Sequence, residues 1–253
     1  RSEEWRQLKL GKVGASRVAD IVARTKSGYS ASRENYLTEL LLERITGFPA
    51  DRFQSDAMRY GTEMEPLARA AYSFDFDVEV EQIAFATHPS IEMAGASPDG
   101  LVGKLGLVEI KVPQPATHLD TLLSEKVPEK YIIQMNWQMC CTEREFCDFV
   151  SYNPSFPPAA KMFVKRIPRD DAMISHLEGE VRRHQASDVR ADGFLVHAHG
   201  DIVRRAAAFA ALLKTTLFTR RSKAAAEATG TLATATELAV ARGIPATTAA
   251  EVT

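Results

Sequence analysis

The stretch SPDGLVGKLGLVEIKVP, residues 97–113, joins a Pro-Asp-Gly turn to a segment rich in aliphatic and β-branched residues. Its second half, LGLVEIKV at residues 105–112, is typical of a β-strand. Because side chains alternate along a strand, Glu109 and Lys111 share one face and the neighbouring aliphatic residues share the other. This pattern is common in half-exposed sheets, where charged residues pair with neighbours in solvent. A surface strand and a strand that carries a functional pair of charges are both open interpretations.

The composition is that of an ordinary globular protein, with 253 residues of which 45% are hydrophobic and 25% charged. This length suits one large domain, or one domain with an appendage. No apolar run approaches the roughly 20 residues of a membrane span, and the N-terminal segment lacks the apolar centre of a signal peptide. We expect a soluble, cytoplasmic protein without a membrane partner. Cys140, Cys141 and Cys147 have no metal-ligand spacing and are expected to be reduced, buried thiols.

The charged residues are unevenly distributed, although the formal net charge is only −2. Residues 1–33 contain eight lysines or arginines and three acids, whereas residues 61–110 contain nine acids and two bases. A basic segment followed by an acidic one suits a protein that binds an anion with one part and a metal ion with another. Chance clustering on solvated faces is the alternative interpretation.

Hydrophobic periodicity predicts a mixed α/β domain with a central sheet over residues 1–186. Helices are predicted at about 15–21, 32–45, 57–74, 128–141 and 171–184. Strands are predicted at about 78–85, 93–96, 105–112, 146–152 and 161–167. Beyond residue 186 the composition changes, and 26 of the 48 residues from 206 to 253 are Ala or Thr. We therefore predict that residues 187–253 form a helical C-terminal appendage.

The turn and the strand together offer a set of metal ligands. By itself an Asp-Gly pair indicates only a turn, but the glycine-rich connection can bring Asp99 close to Glu109. Two carboxylates and the backbone carbonyl of Ile110 are hard oxygen ligands suited to Mg²⁺. Lys111, on the same face as Glu109, can stand beside a water molecule at that ion. The pattern Pro-Asp…Glu-x-Lys resembles the signature of the restriction-endonuclease-like nucleases, whose fold is a central mixed β-sheet flanked by helices.

Three further blocks accompany this pattern: WRQLKLGKVGAS at residues 5–16, RYGTEMEPLAR at residues 59–69 and YIIQMNWQ at residues 131–138. In this order and spacing the four blocks resemble the phage lambda exonuclease, or YqaJ-type viral recombinase, family. The resemblance covers about residues 3–180. It implies a Mg²⁺-dependent exonuclease that degrades one strand of duplex DNA from its 5′ end.

The resemblance assigns the metal site to particular positions. Asp99, Glu109, Glu65 and the carbonyl of Ile110 would bind Mg²⁺, as one or two ions, and Mn²⁺ is expected to substitute. For Glu65 the alternative is an acid in the first turn of a helix, where it would interact favourably with the helix dipole.

The resemblance also assigns catalytic roles around the metal. Lys111 would orient or deprotonate the attacking water. Gln134 and Tyr131 match the helix that faces the active site, and they would hold Lys111 or that water. The alternatives are a surface amide for Gln134 and a core aromatic ring for Tyr131.

DNA-binding roles follow from the resemblance as well. Lys9, Ser16 and Ser97 match a pocket for the terminal 5′ phosphate, and Arg17, beside Ser16, belongs to the same DNA-binding set. The family's arginine is a lysine at position 9, which supplies a point charge without the bidentate fork. Met58 would be an apolar wedge that splits the terminal base pair, or alternatively a buried methionine at the start of a helix.

The resulting functional hypothesis is an exonuclease of a phage or prophage recombination system. It would produce 3′ single-stranded overhangs for a single-strand annealing protein and would close around DNA as a homotrimeric ring. Two alternatives stay open at this point: an endonuclease of the same superfamily, and a non-catalytic protein that binds DNA ends.

Overall fold

The computed structural model of the chain describes residues 3–50 and 55–186. The predicted appendage at 187–253 lies outside the described residues. The helices are α1 (Glu3–Lys9), α2 (Val18–Val22), α3 (Ala31–Thr46), α4 (Asp56–Phe76), α5 (Pro115–Ser124), α6 (Glu129–Thr142) and α7 (171–186). The strands are β1 (Val13–Gly14), β2 (Arg24–Thr25), β3 (Gly28–Tyr29), β4 (Val80–Glu81), β5 (Ala86–Thr87), β6 (Ala94–Ala96), β7 (Gly100–Val102), β8 (Gly106–Lys111), β9 (Phe146–Tyr152) and β10 (Met162–Pro168).

The largest sheet has five strands in the order β10-β9-β8-β7-β4. Strands β8 and β9 are parallel, and the other neighbouring pairs are antiparallel, so the sheet is mixed. A smaller sheet has the order β1-β6-β5, and β2 pairs with β3 as a hairpin. The parallel β8–β9 pair requires a crossover connection, which α5 and α6 provide. The predicted mixed α/β fold with a central sheet is confirmed.

The strand prediction at 78–85 is wrong in its extent. This segment contains only the short β4, and the chain then leaves the five-stranded sheet to form β5 in the smaller one. The predicted helix at 15–21 is instead a 3₁₀ turn, Ala15–Arg17, followed by α2. Helix α5 was not predicted, although Pro115 at its first position is a common start signal. The four longer helices and the strands at 146–152 and 161–167 are confirmed with shifts of one or two residues.

Strand β8 is buried on both faces. Val108 and Ile110 pack against Ala68 and Tyr72 of α4. On the other face Leu107 contacts a cluster with Met135 and Met139 of α6. Glu109 lies on that second face and is only 1% exposed. The surface-strand interpretation is therefore wrong, because α4 and α6 cover the two faces between them.

No helix among the residues described by the structure is long and apolar enough to span a membrane.

Candidate active site

Asp99 and β8 are joined by a direct hydrogen bond. The Asp99 Oδ2 atom accepts from the backbone amide of Ile110 at 2.7 Å. Gly100 makes this position possible, since a Cβ atom there would lie 2.1 Å from Val80 Cγ1 of the neighbouring strand. The glycine therefore lets β4 pack against β7 directly beside Asp99. As predicted, the turn places Asp99 next to the strand that carries Glu109.

Glu109 is held by three donors. The Nε2 atoms of Gln134 and Gln138 donate to Oε1 and Oε2 of Glu109, each at 2.6 Å. Lys111 Nζ also donates to Oε1. Residues four apart lie on one helix face, so α6 presents both carboxamides to the same carboxylate. Gln134 is buried, and the surface-amide interpretation is wrong. In this structure the Gln134 amide donates to Glu109, whereas the resemblance suggested that it would hold Lys111 or the attacking water.

Lys111 also lies against an aromatic ring. Its Nζ atom is 5.1 Å from the centroid of the Tyr131 ring, within the range of a cation–π contact. That ring stacks on Phe149 of β9 with a centroid distance of 5.6 Å. The Tyr131 ring therefore packs on the core with one part of its surface and lies near the Lys111 ammonium group with another.

Glu65 lies in the middle of α4, well past the first turn that begins at Asp56. The helix-dipole interpretation is therefore wrong. Arg69, one turn later, donates to the Glu65 carboxylate and, through Nε, to the backbone carbonyl of Asp99 at 3.0 Å. This arginine ties α4 to the turn before β7. We refer to Glu65, Asp99 and Glu109 as the acidic cluster.

The electrostatics of the acidic cluster favour a bound cation. The pKa of Asp99 is raised to about 8, mainly by burial and also by the negative charges of Glu109 and Glu65, against the opposing effect of Lys111. Burial works against the charge of Lys111, but Glu109 and Asp99 outweigh it and raise its pKa. The carboxylates are hard oxygen ligands, so these residues fit Mg²⁺ or Mn²⁺. A metal ion is often the largest local charge in such a site and relieves the repulsion between acids.

Two of the predicted DNA-binding residues meet at Trp5. The Trp5 Nε1 atom donates to Ser97 Oγ at 3.0 Å, and Lys9 Nζ lies 5.0 Å from the centroid of the same ring. Ser97 Oγ donates to the Ala84 carbonyl at 2.8 Å. Because Lys9 and Ser97 are predicted to bind a DNA end, we refer to Trp5, Lys9 and Ser97 as the end-binding group. It lies beside the acidic cluster, because Ser97 precedes Asp99 by two residues.

The other predicted DNA-binding residues lie at separate positions. Ser16 is exposed on the 3₁₀ turn. The Lys9 side chain passes close to the start of this turn, since its Cε atom lies 3.5 Å from the position that a Cβ atom on Gly14 would occupy. Arg17 is engaged within the protein: its guanidinium pairs with Asp20 at 2.5 Å and with Glu39 at 2.7 Å. Met58 is 57% exposed in the first turn of α4, so the buried-methionine interpretation is wrong.

The three cysteines are reduced and buried, as predicted. The structure adds that Cys140 Sγ and Glu178 Oε1 each lie 3.2 Å from His88 Nε2. The backbone amide of Ser90 donates to His88 Nδ1 at 3.2 Å, which places the ring proton on Nε2. That nitrogen is then a donor without a lone pair for a metal ion. These side chains form a hydrogen-bonded network that is separate from the acidic cluster.

Three residues of the site were missed in the sequence. Gln138 and Arg69 each lie four residues after a predicted site residue, Gln134 and Glu65, so helical spacing could have indicated both. Trp5 lies within a quoted block, but its contact with Ser97 spans 92 residues and leaves no local signal.

Residues 4–145 match the model of the YqaJ-like viral recombinase domain. Among solved structures, the alkaline exonuclease LHK-Exo of Laribacter hongkongensis is 44% identical, with a TM-score of 0.73 over 79% of this chain and 100% of that chain. The same values hold for its complex with dAMP. A phage-related exonuclease from Haemophilus somnus 129PT, at 14% identity, shares the fold, with a TM-score of 0.59 over 69% of this chain and 92% of that one.

Among curated proteins, the uncharacterized protein R354 of Acanthamoeba polyphaga mimivirus is 28% identical over 106 residues. That match spans 37% of this chain but only 19% of the viral protein. The fold is restriction-endonuclease-like, as the Pro-Asp…Glu-x-Lys pattern indicated. The matched domain model extends over more than half of the chain and includes the end-binding group and the acidic cluster, so the chain belongs to the YqaJ-like viral recombinase family.

Proposed function

We propose that this protein is a Mg²⁺-dependent exonuclease that digests duplex DNA from 5′ ends. The observation that carries the proposal is the acidic cluster gathered beside Lys111, at a place where burial and the neighbouring acids raise the pKa of Asp99 to about 8. A protein that only bound DNA ends would gain nothing from buried, mutually repelling acids beside a phosphate backbone. The family membership and the 44% identity to an alkaline exonuclease support nuclease chemistry.

The ligand set would be the acidic cluster with the carbonyl of Ile110. Oxygen ligands suit Mg²⁺ and Mn²⁺ better than softer metals, and the cluster accommodates one or two such ions. When bound, Mg²⁺ supplies the Lewis acidity that stabilises charge on the phosphate oxygens during hydrolysis. The protein contributes the fixed placement: β8 holds Glu109, the turn before β7 holds Asp99, and α4 holds Glu65.

Lys111 would orient the attacking water or the phosphate. Because Glu109 and Asp99 raise its pKa in spite of burial, the side chain is a cation at neutral pH. An ammonium group donates hydrogen bonds but cannot accept a proton. In the metal-free site Lys111 is therefore a hydrogen-bond donor, and a bound cation would offset the negative charges that raise its pKa, so both suggested roles, orientation and deprotonation of the water, stay part of the proposal.

The direction of digestion would come from the end-binding group. Phosphodiester hydrolysis at the acidic cluster has no polarity of its own, so a second contact must distinguish the 5′ end. Lys9 offers a positive charge, Ser16 lies exposed a short distance along the chain, and Ser97 is two residues from Asp99. Charge-assisted hydrogen bonds to a terminal phosphate are roughly twice as strong as neutral ones. Arg17 is a weaker candidate, because Asp20 and Glu39 already neutralise its charge.

The products would be nucleoside monophosphates and a 3′ single-stranded overhang. The complex of LHK-Exo with dAMP supports a nucleotide product. An overhang of this kind is the substrate of a single-strand annealing protein, which is the partner expected in a phage or prophage recombination system. Met58, exposed at the start of α4, is the proposed wedge at the junction of single and double strands.

The test is digestion of a linear duplex labelled at one end, in Mg²⁺. We expect release of a 5′ label as mononucleotide before any 3′ label is lost, and no activity in excess chelator. Loss of the 3′ label first would refute the polarity. Cleavage of covalently closed circular DNA would identify an endonuclease instead, and retention of both labels despite tight end binding would identify a non-catalytic protein.

A homotrimeric ring is the proposed assembly. A net charge of −2 gives little overall attraction for DNA, whereas a closed ring needs only local positive charge along its channel. Sedimentation equilibrium at micromolar concentration should give three times the monomer mass of 27.9 kDa. A monomer that still digests thousands of nucleotides per encounter would refute the ring.

A further inference from the structure

Gln138 contacts the Glu109 carboxylate but has no role in the proposed mechanism. It is fully buried in α6, at 0% exposure, and its Nε2 atom donates to Glu109 Oε2 at 2.6 Å. Gln134 donates to the other oxygen, Oε1, at the same distance. Each oxygen of this buried carboxylate therefore has its own amide donor from a single helix.

We propose that Gln138 is a positioning residue that fixes the orientation of Glu109 and thereby sets the affinity of the acidic cluster for its divalent cation. This inference rests on the proposed function, since it assumes that Glu109 is a metal ligand. Gln138 then belongs to that site, and the Kd for the divalent cation measures its contribution.

The geometry of a carboxylate explains the role. Two oxygens offer about four lone-pair directions in all, and a donor at each oxygen stops rotation of the group about its last bond. Gln134 and Lys111 occupy both directions of Oε1 and Gln138 occupies one of Oε2, so the remaining lone pair, on Oε2, keeps one direction, as a metal ligand requires. Without Gln138, Oε2 would lose its amide donor at a site that solvent scarcely reaches.

The donor type matters as well. Lys111 stabilises Glu109 with a full positive charge, which also competes with a cation for the same carboxylate. A carboxamide stabilises the carboxylate through a hydrogen bond without adding net charge. Gln134 and Gln138 can therefore hold Glu109 in one orientation without adding positive charge to the acidic cluster.

The hydrogen bond to Glu109 sets the orientation of the Gln138 amide. In this orientation the side-chain oxygen of Gln138, Oε1, is buried and has no hydrogen-bond partner within the part of the chain that the structure describes. Turning the amide over would place this oxygen against the Glu109 carboxylate. A buried carbonyl without a hydrogen-bond partner is destabilising, so a purely structural glutamine at this position would be poorly placed.

The backbone that carries Gln138 is held independently. Trp137 Nε1 donates to the Gly95 carbonyl at 3.3 Å, on the other side of the helix. Asn136 donates to the Ile132 carbonyl at 3.0 Å and accepts from the amide of Asp170 at 2.9 Å. Asn136 is as buried as Gln138 but contacts only backbone groups away from the acidic cluster, which makes it a matched control.

The test is Mn²⁺ binding, followed by electron paramagnetic resonance of the free ion, in the absence of DNA. Gln138→Met keeps the length of the side chain and removes its donors. We expect its Kd for Mn²⁺ to rise roughly tenfold to a hundredfold, as for other groups that orient metal ligands. Its cleavage rate should recover at high Mg²⁺, because mass action compensates for lower affinity. Asn136→Leu should melt at a lower temperature and bind Mn²⁺ as the wild type does.

Gln138→Asn provides a second variant in case the methionine protein does not fold, because its amide is one methylene too short to reach Glu109. It should show the same loss of affinity. A folded Gln138 variant that binds Mn²⁺ within twofold of the wild type would overturn the inference. Glu109→Gln separates this from the proposed function: if that change leaves Mn²⁺ binding intact, the acidic cluster is not the metal site and both proposals fail.

Discussion

The Asp99 carboxylate accepts a hydrogen bond from the backbone amide of Ile110, so the acid before β7 and the acid-bearing strand β8 fix each other's position. An asparagine at position 99 can still accept that hydrogen bond through its side-chain oxygen. An asparagine at this position would therefore remove the charge of Asp99 and keep its hydrogen bond to the backbone, so that the two contributions can be measured separately.

Asp99→Asn should abolish cleavage while making the metal-free protein more stable. The change removes one of the three mutually repelling charges of the acidic cluster and keeps the acceptor for Ile110. In chelator, its melting temperature at pH 8 should therefore exceed that of the wild type, by calorimetry. Asp99→Ala, which loses the acceptor as well, is the control and should melt below Asp99→Asn. Glu109→Gln and Lys111→Ala should also abolish cleavage. Robust digestion by Asp99→Asn or Lys111→Ala would contradict the proposed mechanism.

Duplexes with a 5′ phosphate should be digested faster or more processively than duplexes with a 5′ hydroxyl. Lys9→Ala should remove most of this preference without abolishing slow cleavage, and Lys9→Arg should keep or sharpen it because its fork binds phosphate oxygens bidentately. Initial rates on the two substrates measure the effect. Trp5→Phe, which removes the donor to Ser97, should weaken the preference less than Lys9→Ala does. Equal rates on both substrates for the wild type would show that the end-binding group does not recognise phosphate.

Stability should fall as the pH drops from about 6.5 to about 4, partly through His184. Burial lowers the pKa of His184 from its ordinary value of 6.5 to about 4. In this window the unfolded chain binds a proton that the folded chain excludes, so acid favours unfolding. One such proton contributes at most about 1.4 kcal/mol per pH unit. His184→Gln should flatten this part of the profile, measured by denaturant unfolding in chelator, and should leave the slope above pH 7 unchanged. An identical slope in the variant between pH 4 and 6.5 would contradict the assignment.

Truncation after about residue 200 should leave hydrolysis of short duplexes intact, because every residue assigned to the site precedes residue 140. Digestion of short and long duplexes by the truncated and full-length proteins would be compared at equal molar concentration. Weaker activity on long DNA alone is compatible with a role of the appendage in assembly or grip. Complete loss of cleavage by a folded, truncated protein would show that the appendage completes the site.

Local sequence patterns predicted the placement of Asp99, Glu109 and Lys111 better than the surroundings of these residues. The alternation along β8 placed Glu109 and Lys111 on one face, and the turn chemistry placed Asp99 beside them. The same pattern could not show that both faces of β8 are buried. That burial depends on α4, which packs on one face, and on α6, which the crossover between the parallel strands β8 and β9 places on the other.

Distance along the chain also explains which site contacts were missed. Gln138 and Arg69 could have been predicted from the sequence, since each follows a predicted site residue by one helical turn. The contact between Trp5 and Ser97 joins segments 92 residues apart and depends on the packing of two different elements. The start of α4 was predicted to within one residue, and a helix that starts there places Glu65 beyond its first turn, which already argues against the helix-dipole alternative for Glu65.

The parallel pairing of β8 with β9 also determines when the site can form during synthesis. A parallel neighbour must wait for a crossover, so β8 leaves the ribosome with its β9 edge unpaired until residues 146–152 follow. Glu109 is likewise uncovered until α6 has been made. Long-range pairings of this kind are slow to form and expose strand edges in the meantime. A nascent chain that stops before β9 therefore carries all the residues of the acidic cluster without the environment that the proposed metal site requires.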